Sequence, residues 1–298
     1  MSAALLVVAF AAGLVAQRVP ADERVRSLTW LVYFWTVAPI LVFVVFRTVH
    51  VDGGLVLALG AAIASTWLVA LVAYAYAYVT APTRDERGAL ALAAACPNTG
   101  FLGFPLAKLA FGSHGLALAV VYDQLSWLVP ATAVTTTVAR IHGRGPGRAR
   151  ERPLRALLVN PPLLALALAL ALRAAGVGIP GTDGAGRLAG DVVGPAGFFL
   201  LGLSLPLERP AHEREELGRA LGALLIRFAA GPLALLAVGR AVGADVPGVF
   251  YLLAAMPAAF HLLVLARVYE MRPALMRLLV VGSTLPAVAA VVVATELR

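Results

Sequence analysis

Charge is what this chain has least of. Asp, Glu, Lys and Arg make up 13% of its 298 residues and 61% are hydrophobic, whereas a soluble domain carries roughly 25% charged residues. Mean hydropathy is +0.88. This excludes an ordinary soluble enzyme and leaves a polytopic membrane protein with little soluble mass. Cys96 is the only cysteine, so no intrachain disulfide can form. No Cys/His cluster has metal-ligand spacing, and no metal or other cofactor is expected. The chain has neither a His-Glu-x-x-His pair nor a serine nucleophile with a positioned base, which argues against an intramembrane enzyme. Acidic residues are outnumbered, 16 to 24, giving a net charge of +8. Aromatic residues do not interleave with the basic ones, so no nucleic-acid partner is implied. The arginines lie instead in the gaps between apolar runs, where they orient a membrane protein.

The apolar runs come next. At roughly 20 residues per span, the chain has room for ten. They are predicted at about 2–17, 27–46, 54–79, 88–111, 115–139, 154–173, 187–205, 218–240, 247–266 and 273–295. The first run resembles a signal-peptide core. However, no positive charge precedes it, while Arg18, Arg24 and Arg26 follow it. A secretory signal has the opposite order, so this run is expected to be a retained first span.

The prolines point to a duplication. Pro39 and Pro195 are 156 residues apart, Pro97 and Pro257 are 160 apart, and Pro130 and Pro286 are 156 apart. Ala58-Leu59-Gly60-Ala61 reappears as Ala220-Leu221-Gly222-Ala223. The predicted fold is all-α, with two five-helix repeats at 1–140 and 154–298 joined by a basic linker at 141–153. Because five is odd, the second repeat enters the membrane from the opposite side, and the repeats are inverted.

The basic residues orient this arrangement. With the 140–155 loop in the cytoplasm, that side holds Arg18, Arg24, Arg26, Arg84, Arg87, Arg140, Arg144, Arg148, Arg150, Arg152, Arg155, Arg209, Arg214, Arg219, Arg267, Arg272 and Arg277. The other side holds Arg47, Arg173, Arg187, Arg240 and Arg298. The bias predicts a multi-pass protein of the cell membrane with both termini outside.

Span 4 contains Cys96-Pro97-Asn98-Thr99-Gly100-Phe101-Leu102-Gly103-Phe104-Pro105-Leu106. Two prolines, two glycines and an Asn are poor material for an unbroken helix. In lipid, a broken helix is tolerated where the freed backbone groups face protein or a water-filled cavity. Pro257 puts the equivalent break in span 9. In inverted-repeat transporters such a pair crosses near the bilayer midplane, with half-helix N-termini turned toward one small space that suits an anion.

With these residues in view, the sequence resembles the auxin efflux carrier family of membrane transport proteins. The resemblance rests on Pro97-Asn98-Thr99 through Gly103-Phe104-Pro105-Leu106 with Lys108 and Gly112, and on Asn160-Pro161. It continues through Asp191 with Leu201-Gly202-Leu203, Arg227-Phe228 with Gly231-Pro232, and Ala255-Met256-Pro257 with Leu265-Ala266-Arg267 and Tyr269. It implies ten helices, with helices 1, 2, 6 and 7 as a scaffold and helices 3–5 and 8–10 as a transport domain. It also implies homodimerisation through the scaffold, an elevator-type movement, and a small organic anion as substrate, such as indole-acetate or a short dicarboxylate. Two departures stand out. Span 3 has neither the carboxylate nor the lysine that support the site in plant members. The position four residues after the span 9 proline, often Asn in bacterial relatives, is His261.

The candidate substrate-binding residues are Pro97, Asn98, Thr99, Gly100, Pro257, Ala258 and His261. Asn98 is placed to contact the anion or to cap the second half-helix. His261 and Asp123 are the candidates for proton or cation coupling, since ionisable groups inside membranes are functional candidates by default. Against this stand a packed core histidine and a merely polar residue near the outer end of span 5. Gly103, Pro105 and Arg227 are expected to support the site. The leading function is a secondary carrier of a small organic anion. The alternatives are a sodium- or proton-coupled symporter or antiporter of the related bile-acid or antiporter-like architecture, and a non-transporting membrane sensor.

Overall fold

The computed structural model describes residues 2–18, 29–144, 159–205 and 214–296. Within them the chain is helical, without a strand. In chain order the helices are α1 Ala3–Ala16, α2 Thr29–Thr48, α3 Gly53–Thr80 and α4 Arg84–Ala95. Next come α5 Phe104–Tyr122, α6 Val129–His142, α7 Pro161–Ala174 and α8 Thr182–Ser204. The last are α9 Arg214–Ala241, α10 Gly248–Ala254, α11 Leu262–Val268 and α12 Pro273–Glu296. From residue 145 on, the basic linker lies outside the described residues, as do Arg24, Arg26, Arg209 and Arg298.

Among the described residues, five helical segments are long and apolar enough to cross a membrane: Thr29–Thr48, Gly53–Thr80, Thr99–His142, Arg214–Ala241 and Pro273–Ala290. The outward faces are apolar as well. Leu71, Val79 and Leu221 are 65%, 83% and 60% exposed. Contiguous apolar surface of this kind is stable against lipid and not against water. The chain is thus a multi-pass membrane protein.

Helix starts follow the local chemistry. Ser2, Asp52 and Asn160 each accept a bond from the backbone N–H three residues on, at 3.3, 2.7 and 3.2 Å. Pro161 then occupies a first-turn position where no N–H is needed. Small residues let helices approach. A Cβ on Gly13 would lie 2.2 Å from the Phe199 carbonyl, and one on Gly202 would lie 2.1 Å from that of Phe10. The α1–α8 contact is therefore closed to larger residues from both sides.

Helix α1 packs on α8, and α2 packs on α7 and α8. Helix α3 packs on α4 and α9, α4 on α6 and α9, and α10 on α5. The Ala-rich α4 is buried from Gly88 to Ala95. At its charged end Glu86 pairs with Arg219 at 2.6 Å and Asp85 with Arg144 at 3.0 Å. Glu216 pairs with Arg272 at 2.5 Å. Tyr76 donates to the Arg219 carbonyl at 2.9 Å, and Tyr74 lies 3.2 Å from a ring nitrogen of His142. Tyr74 and Tyr76 of α3 therefore bind neighbouring helices.

Three π-helical turns interrupt the first half: Tyr33–Val37, Thr99–Gly103 and Asp123–Leu128. Each is followed two residues later by a proline, Pro39, Pro105 or Pro130. A proline ring clashes with the carbonyl four residues back and cannot bond to it. One wide turn relieves both problems without ending the helix.

Candidate substrate site at two crossing helix breaks

Helix α4 stops at Ala95, and Cys96 is extended (φ −97, ψ 103). Helix α10 stops at Ala254 and the chain does not become helical again until Leu262. The two breaks meet. Pro97 and Ala258 form an antiparallel bridge. The Asn98 N–H donates to the Pro257 carbonyl at 2.7 Å, and the Ala259 N–H donates to the Cys96 carbonyl at 2.8 Å. Each break thus satisfies a donor and an acceptor of the other, as buried backbone away from water requires. The remaining Ala258 N–H donates to the Ser283 hydroxyl at 3.1 Å, and that hydroxyl donates to the Leu279 carbonyl at 2.8 Å.

Arg227 closes the other side. It is 1% exposed. One guanidinium nitrogen donates to the Ala94 and Ala95 carbonyls at 3.1 and 2.7 Å, and the other donates to the Ala254 carbonyl. A single cation therefore sits at the negative ends of both first half-helices, α4 and α10. Its Nε has no partner and is buried. Beside it lies a cavity of about 10 Å³ lined by Ser65, Thr66, Tyr122 and Pro97 among others, room for about one water molecule.

Asn98 stands at the start of the second half-helix and is 3% exposed. Its Oδ1 accepts from the Phe101 N–H at 3.3 Å, while its Nδ2 is buried with no partner. The side chain therefore caps the helix with one end and holds an unused donor at the other. Thr99, 2% exposed, donates to Asp123. Gln124 donates to the other oxygen of the same carboxylate at 2.8 Å. An added Cβ on Gly100 would meet nothing within 4 Å, whereas one on Gly103 would lie 2.5 Å from Leu253. Pro105 is buried in the turn after the π segment.

The two sets of candidates differ in setting. Pro97, Asn98 and Thr99 are brought against Pro257 and Ala258 through the paired backbones. His261, at the start of α11, is exposed, and its ring makes no hydrogen bond among the described residues.

Sequence reasoning missed several partners. Phe101 lies edge-on to Trp30 at 4.9 Å and stacks on Tyr33 at 5.0 Å. Trp30 also stacks on Phe260 at 5.6 Å. Lys108, which by its position can snorkel to the membrane surface, donates instead to Asp191 and to the Gly190 carbonyl, each at 2.6 Å. The available signal was polarity in an apolar run: Asp123-Gln124 and Ser126 stand before Pro130, as Ser283-Thr284 stand before Pro286.

Residues 148–295 match the family model described as membrane transport protein. An uncharacterized transporter of Methanothermobacter thermautotrophicus is 35% identical over 136 residues, which is 45% of this chain and 43% of that protein. The chain thus spans less than half the length of this relative. Residues 148–295 are thus similar to the membrane transport protein family.

Proposed function

We propose that the protein is a secondary carrier of a small organic anion, a carboxylate, bound where the two broken helices cross. The observation that carries this reading is the unpartnered, buried Asn98 amide beside two paired helix breaks. A buried N–H without an acceptor is costly, and a carboxylate would accept from it. The helix-start position of Asn98 adds a favourable dipole. Pro97, Thr99, Gly100, Pro257 and Ala258 shape the site, with His261 at its second break. Gly103, Pro105 and Arg227 support it.

The predicted ten spans form two inverted repeats in this proposal. Repeat equivalence exchanges span 1 with 6 and span 2 with 7. The observed contact of α1 with α8 is then the counterpart of that of α7 with α2, which supports the pairing. Helices α1, α2, α7 and α8 act as the scaffold and dimerise with a second copy. The rest moves as one elevator body, held at one end by the Glu86–Arg219 and Glu216–Arg272 pairs. Both termini lie outside the cell membrane.

The test is a thermal-shift screen of purified protein against mono- and dicarboxylates, followed by counterflow in proteoliposomes. A carrier exchanges a labelled carboxylate faster when the unlabelled one is inside. A sensor binds without exchange.

A further inference from the structure

We propose that Asp123 is the site of a proton that binds and moves together with the anion. This inference rests on the carrier reading above and names its coupling. Two of the three π turns meet at this residue, and the first packs on the second. Asp123 opens the third, Thr99 of the second donates to it, and Tyr33 of the first stacks on Phe101 of the second. The carboxylate is 9% exposed. Among the described residues no Lys, Arg or His pairs with it. A buried carboxylate without a counter-charge is strongly disfavoured and takes up a proton or a cation.

The surroundings suit a proton. Thr99 and Gln124 donate to the two oxygens of the ionised form. The Gln124 Oε1 is buried and has no partner. When Oδ2 takes a proton from water, a half-turn of the Gln124 amide brings Oε1 to accept it. The 2.8 Å contact is kept with donor and acceptor exchanged. One side chain thus serves both protonation states.

The charged and titratable groups around Asp123 are few. Tyr33 of α2 and the adjacent Tyr122 are within its electrostatic reach. Helix α3, which packs on this turn, has no Asp, Glu, Lys, Arg or His. On α5 the others are Lys108, held by Asp191, and His114. Arg140 and His142 lie at the far end of α6. On α9, Arg227 is turned to the half-helix ends and shares a cavity with Tyr122.

Thr99 links the carboxylate to the break, since it directly follows Asn98. An anion on the Asn98 amide is repelled by ionised Asp123 and not by its neutral form. Anion and proton therefore promote each other's binding. The proton enters from the side of loading and leaves to water on the side of release, so a monocarboxylate crosses without net charge.

The experiment measures affinity and proteoliposome exchange of indole-3-acetate and of succinate against pH, for wild type, Asp123→Asn and Thr99→Val. Wild-type affinity for indole-3-acetate, ionised throughout, should rise by up to about tenfold per pH unit of acidification within its titration range. Asp123→Asn, isosteric and fixed in the neutral state, should hold the acid-side affinity at every pH and move no protons with the anion. Thr99→Val removes a donor from the ionised form, so its midpoint should move to higher pH. Equal slopes in wild type and Asp123→Asn would overturn the inference while leaving the carrier reading intact. So would a slope lost in His261→Asn and kept in Asp123→Asn, or a sodium requirement in place of the pH dependence. Absence of binding and exchange of every carboxylate in wild type would overturn the carrier reading and this inference with it.

Discussion

Two side chains, Asn98 and Arg227, divide the work at the crossing. Asn98 uses one end of its amide as a helix cap and leaves the other unused. Asn98→Ser keeps a capping oxygen and removes the free donor. It should leave the melting temperature nearly unchanged. Losing one hydrogen bond to a charged ligand costs about 1.5–3 kcal/mol, so carboxylate affinity should fall by roughly ten- to a hundredfold. Equal affinity by calorimetry would reduce Asn98 to a cap. Arg227 acts on structure. Replacing it by Met leaves three backbone carbonyls buried without donors, at about 1–3 kcal/mol for each group left unsatisfied. Thermal unfolding in detergent should show Arg227→Met losing several degrees or more. Arg227→Lys should recover only part of the loss, because one ammonium lacks the planar fork that reaches both half-helices.

Asn98 was legible in the sequence, since a polar residue between prolines in an apolar run has few purposes. The partners of Arg227 were not. They are main-chain oxygens 133, 132 and 27 residues away, and backbone carbonyls leave no mark in a sequence.

At the level of elements, Pro97 and Pro257 gave away the two breaks, which pair with each other in the structure. What each proline does was less legible. Pro39, Pro105 and Pro130 each follow a π turn, whereas Pro195, Pro232 and Pro286 sit inside ordinary α-helix. A proline removes one bond and one position for a carbonyl. Whether the chain kinks, widens or breaks is decided by what packs around it, which is not local information. The π turn before Pro105 sets where Thr99 faces Asp123. Pro105→Ala allows the ordinary helical bond to Phe101 to form, and proline is a poor residue inside a helix. The variant should unfold at the same temperature or higher, yet bind carboxylate more weakly. A matched loss of both would show that Pro105 serves stability alone.

At the scale of the molecule, composition alone gave the membrane class, and order and spacing of motifs gave the resemblance to a transporter family. Helix-to-helix contacts such as α1 with α8 were outside its reach, because apolar faces all look alike. The proposed topology is testable with one residue. Gly145→Cys in a Cys96→Ala background should react with an impermeant thiol reagent only after sealed cells are opened. Reaction from outside would contradict the inverted arrangement. The Lys108–Asp191 pair joins the proposed moving body to the proposed scaffold. If the body slides, this pair must open. Asp191→Asn should then lower the population of the present conformation and change exchange rate more than affinity. Distances between spin labels on α5 and α8 would show the shift, and an unchanged distribution would argue against sliding along this contact.

The most direct test of an anion carrier at the crossing is counterflow in proteoliposomes with labelled indole-3-acetate or succinate, comparing wild type with Asn98→Ser. The account predicts saturable exchange in wild type, accelerated by unlabelled carboxylate inside, and a half-saturation concentration raised by roughly tenfold or more in Asn98→Ser. Absence of exchange for either carboxylate in a folded, reconstituted wild type would contradict it. So would exchange with the same half-saturation in both proteins.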